Sequence, residues 1–137
     1  MSKKYFDDKS SDGYAGGVRA SMLDVVGAAA AVSDTVFFTT TAAGLYEITA
    51  SICVTTVGTG AGNTIQLVIK YKDEAAQTIT VSATALSGLA LGSAAASNLT
   101  FTCYLPAGAT VSYNETDGGT QTTHAVYNVH IAATLVS

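Results

Sequence analysis

Between Leu45 and Val57 apolar and polar side chains alternate with a period of two: Tyr46, Ile48, Ala50, Ile52 and Val54 take one face, while Glu47, Thr49, Ser51 and Thr55 take the other. That period is the mark of a strand with one buried and one exposed face. It returns over Thr64 to Lys72, where Ile65, Leu67, Ile69 and Tyr71 oppose Gln66, Val68, Lys70 and Lys72. Asp73 to Ala76 reads as a hairpin connection into Gln77 to Ala83, so a meander is expected to begin here. Asn98 to Leu105 aligns Leu99, Phe101, Cys103 and Leu105, and Pro106 to Gly108 turns the chain into Thr110 to Thr116, with Val111 and Tyr113 as its apolar positions. A second turn at Asp117 to Gly119 leads to Thr123 to Leu135, which aligns Ala125, Tyr127, Val129, Ile131, Ala133 and Leu135. With Val32 to Thr40 as the first strand, about seven or eight strands predict an all-β antiparallel sandwich or jelly roll. The stretch Leu86 to Ser97, rich in Ala, Gly and Ser, fits either a long loop or a weak edge strand.

Charge divides the chain. Of its six basic and ten acidic residues, Lys3, Lys4, Asp7, Asp8, Lys9, Asp12, Arg19 and Asp24 all lie in the first 24 positions. The same segment carries Tyr5, Phe6 and Tyr14 between glycines, without a sustained period. Residues 1–31 are therefore expected to form an extended arm that docks on a partner through Tyr5, Phe6, Tyr14 and Arg19, and residues 32–137 the sandwich body. Charged residues make up only 12% of the chain and the net charge is −4, which argues against nucleic acid as a partner. A surface so poor in charge points to self-association, with the 20 threonines covering strand faces without adding charge. Tyr127, Val129 and Ile131 are the candidates for core or subunit packing.

The apolar run Val25 to Val32 is far shorter than the roughly 18 to 20 residues of a membrane span, and no membrane partner is expected. Lys3 and Lys4 are followed by charges and hydroxyls instead of an apolar stretch, so secretion by a signal peptide is not expected either. Cys53 and Cys103 read as reduced packing residues. His124 and His130, six apart in one presumed strand, should share a face about 20 Å apart, which excludes a common metal within one chain. Three copies of His130 around a threefold axis would be needed to hold an ion, while Asp73 with Glu74, and Glu115 with Asp117, are turn acids able to offer oxygen ligands to calcium. Simpler roles, a hydrogen-bonded subunit contact and solvated turns, are favoured for all of these. No Ser or Cys sits in a motif with His and a carboxylate, and the glycines at 58, 60 and 62 lack the lysine and helix of a phosphate loop. Neither catalysis nor a metal or other cofactor is therefore expected. Tyr71, Tyr104, Tyr113 and Tyr127 are candidates for a sugar-binding groove, with core or interface packing the favoured role.

The runs FFTTTAAGLYEITASICVTT from Phe37, LPAGATVSYNET from Leu105 and HAVYNVHIAATLV from His124 resemble a recurring class of bacteriophage virion domains. The outline, covering roughly residues 32–136, is also similar to the trimeric jelly rolls of the complement globular-head and tumour-necrosis-factor superfamily. The resemblance implies a homotrimer. Lacking a secretion signal and a collagen-like stalk, the chain fits the phage class better. Such domains occur as capsid decoration proteins, head fibres and tail-fibre tips. A short layout of one arm and one compact body favours a protein that decorates or cements a capsid, with the major capsid protein as partner and the virion surface as its location. The alternative is a receptor- or carbohydrate-binding fibre tip that recognises a host-surface glycan.

Overall fold

The computed structural model describes residues 18–87 and 95–137. The expected docking residues Tyr5, Phe6 and Tyr14 lie outside that range, as does part of the Leu86 to Ser97 stretch. Nine strands are formed among the described residues: β1 (Val18–Ala28), β2 (Val32–Thr39), β3 (Gly44–Thr56), β4 (Thr64–Lys72), β5 (Thr78–Ser82), β6 (Leu86–Ser87), β7 (Ala96–Leu105), β8 (Thr110–Gly118) and β9 (Val126–Leu135). They pair antiparallel in two sheets, one ordered β1-β9-β3-β7 and the other β2-β8-β4-β5, with β6 also on β4.

The alternation seen in the sequence sets which side chains meet between the sheets. Ile48, Ile52 and Val54 of β3, Ile65, Leu67 and Ile69 of β4, and Tyr127, Val129 and Ile131 of β9 are buried against one another. Each such side chain contributes about 1.5–3 kcal/mol by leaving water. Most connections cross from one sheet to the other. The meander expected to begin at the β4–β5 hairpin goes no further, because β6 returns to pair with β4 and β7 belongs to the other sheet. The β4–β5 hairpin is held by Asp73, whose Oδ1 accepts the backbone N–H groups of Ala75 and Gln77 at 2.9 and 2.8 Å. That carboxylate is committed to its own turn.

The body begins earlier than expected. Val18–Ala28, assigned from its charges to the arm, is an edge strand that pairs with β9 from Val18↔Leu135 to Ala28↔Tyr127. Leu23 and Val25 pack against the core. Two register shifts, between Arg19 and Ser21 and between Val25 and Ala28, break the period of two that would have revealed the strand, and Gly27 takes the second with a φ of +73°. Arg19 is therefore a strand residue opposite Thr134. The Tyr127 hydroxyl donates to Ala30 O at 2.7 Å and ties the β1–β2 connection to β9.

The register also orients the molecule. Val18, Gly44, Leu105, Thr110 and Leu135 lie at one end of the sandwich, and Ala28, Val32, Thr64, Gly118 and Val126 at the other. Val18 thus lies at the end where β9 finishes.

Candidate functional site

The outer face of the β1-β9-β3-β7 sheet can be read row by row from the register. Met22, Ala132, Thr49 and Thr100 form one row; Asp24, His130, Ser51 and Asn98 the next; Arg19, Thr134, Glu47 and Thr102 another. Most of these side chains are small and uncharged, and of the titratable ones Asp24 and His130 bind each other at 2.5 Å. Eight large apolar residues are exposed among the described residues, and five of them, Met22, Val26, Leu45, Tyr104 and Val136, lie on the outer side of this sheet or at its margin, while Val18, opposite Leu135, turns toward Phe38 and Tyr46. Val26 is 81% exposed and Met22 51%. Apolar surface gathered on one side of a charge-poor sheet is what a partner would cover. Tyr127, Val129 and Ile131 point away from it, into the interior of one protomer.

A second site lies at the Ala28–Gly118 end. The period of two in β8 that turns Val111 and Tyr113 inward also turns Glu115 inward, 2% exposed at the edge of the core. Glu115 is thus a strand residue and not a turn acid. Its Oε2 accepts the Gln66 N–H at 3.4 Å, while its Oε1 accepts no hydrogen bond. His124 precedes β9 in the irregular connection after Gly119, so its ring leaves the face that strand spacing assigned to it and turns toward β8. Its Nε2 is 2.8 Å from Asp117 Oδ1 and 3.5 Å from Glu115 Oε1. Its Nδ1 is 2.7 Å from Ala125 O. A carbonyl oxygen only accepts, so Nδ1 carries a hydrogen and Nε2 faces the carboxylates.

Burial, reinforced by the neighbouring Asp117, pushes Glu115 up to about 7. Burial pushes His124 down, but its bond to Ala125 and the Asp117 and Glu115 carboxylates outweigh that and leave it raised. One donor atom from each of Glu115, Asp117 and His124 falls within 4.8 Å of the others, a spacing that admits a metal ion. The sequence pairing of Glu115 with Asp117 anticipated two of these residues and missed His124. The two histidines do not share a face: His130 is on the outer sheet surface with Asp24.

The four candidate tyrosines are dispersed. Tyr113 and Tyr127 are in the core, Tyr71 stacks on Phe101 at 5.8 Å, and Tyr104 is exposed on the outer face of the β1-β9-β3-β7 sheet. Cys53 lies on that same outer face while Cys103 is buried, and both are free thiols.

No protein-family model and no curated protein matches the sequence. Among solved structures, the globular domain of zebrafish complement 1qA protein superposes with a TM-score of 0.59 at 12% identity, over 89% of this chain and 98% of that one. Eiger TNF from S. frugiperda gives 0.49 at 12% identity over 89% of each chain. A chain of infectious bursal disease virus, Gt strain, gives 0.46 at 12% identity over 84% of this chain and 33% of its own. At such identities the likeness concerns architecture: the chain has the jelly-roll fold of the complement globular head.

Proposed function

We propose that this chain is a structural virion protein that decorates or cements a phage capsid as a homotrimer, with the β1-β9-β3-β7 sheet as its self-association face and the residues before Val18 as its docking segment. The observation that carries the self-association is the concentration of exposed apolar side chains on that one sheet. A closed ring of three copies buries such a face on every subunit, leaving none to seed open-ended aggregation. The resemblance of the segments from Phe37, Leu105 and His124 to phage virion domains supplies the virion setting. In the first 17 residues, three lysines and three aspartates set register on a capsid more than affinity, and Tyr5, Phe6 and Tyr14 supply apolar anchors. Many copies on one shell add avidity to individually weak contacts. A glycan-binding role loses its proposed groove, since two of the four tyrosines are in the core. Light scattering of the full chain tests the assembly: a mass near three times the 13.8 kDa protomer supports it, and a mass of one protomer at micromolar concentration refutes it.

A further inference from the structure

We propose that Glu115, Asp117 and His124 bind one divalent transition-metal cation per protomer, through Glu115 Oε1, Asp117 Oδ1 and His124 Nε2, with Zn2+ as the ion that the donors fit best. The first support is the state of Glu115. Its side chain is fully buried, yet Oε1 has no hydrogen-bond partner and is directed at the imidazole 3.5 Å away. A buried carboxylate oxygen without a partner is destabilising, and a cation seated between the three donors relieves it.

The second support is the orientation of His124. Its Nδ1–H donates to the Ala125 carbonyl at 2.7 Å. That is how metal-binding imidazoles are held, and the Nε2 proton, now shared with Asp117 Oδ1, is what a cation seated between the carboxylates would displace. Distances fit as well. Two ligands of a tetrahedral zinc at about 2.0–2.1 Å stand about 3.4 Å apart. The Nε2 to Oε1 separation is 3.5 Å, and the Nε2 to Oδ1 separation of 2.8 Å has to open only slightly. One imidazole and two carboxylates suit zinc, whereas calcium takes six to eight oxygens and disfavours nitrogen. Three protein ligands leave a fourth position for water.

The approach from solvent is along Asp117, whose side chain is one-quarter exposed and which borders an open groove between Ala31–Asp34 and Asn114–Asp117. The ion would clasp the end of β8 to the connection that enters β9. That connection already packs on the Gly58–Asn63 turn through Thr59 N–H to Thr123 O and Thr120 N–H to Ala61 O, at 2.8 and 3.0 Å. The site is at the end of the sandwich opposite Val18.

The test is calorimetric titration of Zn2+ into full-length protein first stripped with a chelator, with Ca2+ in parallel and circular dichroism to check folding. One Zn2+ per protomer is expected, together with a raised Tm and no comparable response to Ca2+. Glu115→Gln and His124→Gln should weaken binding about a hundredfold or more, beyond the range for residues that merely support a ligand. His130→Gln should leave it unchanged. If Glu115→Gln fails to fold, the partly exposed Asp117→Asn carries the comparison. Absence of stoichiometric Zn2+ binding, its persistence in the folded ligand variants, or its loss in His130→Gln overturns the proposal.

Discussion

Asp24 Oδ1 and His130 Nδ1 lie 2.5 Å apart in directly opposed positions of β1 and β9, on the outer face of the first sheet. The pair satisfies two polar groups locally, so a partner covering this face has little charge to desolvate there. Beside it, the row Met22, Ala132, Thr49 and Thr100 carries no charge at all.

Thr49→Lys places an unpaired ammonium in that row. It is expected to reduce the solution mass from trimer to protomer while leaving the circular dichroism spectrum unchanged. Ile131→Asp makes the contrast: this residue is fully buried on the opposite face of β9, so an unpaired carboxylate there should cost on the order of 4 kcal/mol and unfold the protein. Loss of fold in Thr49→Lys would contradict the assignment of faces.

The two thiols report the same geometry. Cys103 is buried, and burial pushes its thiol up to about 11, so little thiolate is available at pH 8. It should resist iodoacetamide until the protein unfolds. Cys53, half-buried on the outer face of β3, should be alkylated readily in the Thr49→Lys protomer and slowly in the trimer. Equal Cys53 rates in the two, measured by mass spectrometry, would exclude this face from the interface.

Period two was sufficient to find β3, β4, β5, β7, β8 and β9, because in those strands one face is more buried than the other, whereas β2, whose pairing with β8 carries two register shifts, was placed without it. It failed at β1, an edge strand whose two bulges interrupt the alternation and whose Arg19 and Asp24 made the segment look like more arm. The same period, extended past Tyr113, places Glu115 on the core face, and its pairing with Asp117 made two of the three residues of the carboxylate–histidine cluster legible. His124 was not, since it sits in an irregular connection whose path depends on the turn at Gly58–Asn63 packing against it.

That packing depends on glycines. A Cβ on Gly60, at φ +141°, would lie 1.8 Å from Thr120 O, and one on Gly119, at φ +65°, would lie 2.1 Å from Gly62 O. Gly62, at φ +62°, has open space around it. Chemical denaturation should show Gly60→Ala and Gly119→Ala losing more than about 2 kcal/mol and Gly62→Ala about 1 kcal/mol, the backbone strain alone. A Gly62→Ala loss as large as the other two would contradict the clash.

Asp34 joins β2 to its neighbours, accepting from Asn114 Nδ2 at 2.6 Å and Lys70 Nζ at 3.0 Å. These partners, Asn114 foremost, hold its carboxyl below the usual range. A lowered value in the fold means that the contribution is present above the unfolded value near 3.8 and fades as pH falls through the folded one. The Tm difference between the native chain and Asp34→Ala should therefore be largest near neutrality and shrink under acid. A difference that grows as pH falls would contradict the pairing.

The capsid role is tested most directly by mixing undecorated capsids with the full chain and with a version beginning at Val18, which keeps β1 intact. The full chain should bind and raise the temperature at which the capsids fail, while the shortened version, still a trimer, should bind at least about tenfold more weakly, a loss of about 1.4 kcal/mol per docking event. Equal binding and equal protection by the two would contradict docking through the N-terminal residues, and failure of the trimeric full chain to bind would contradict the capsid role itself.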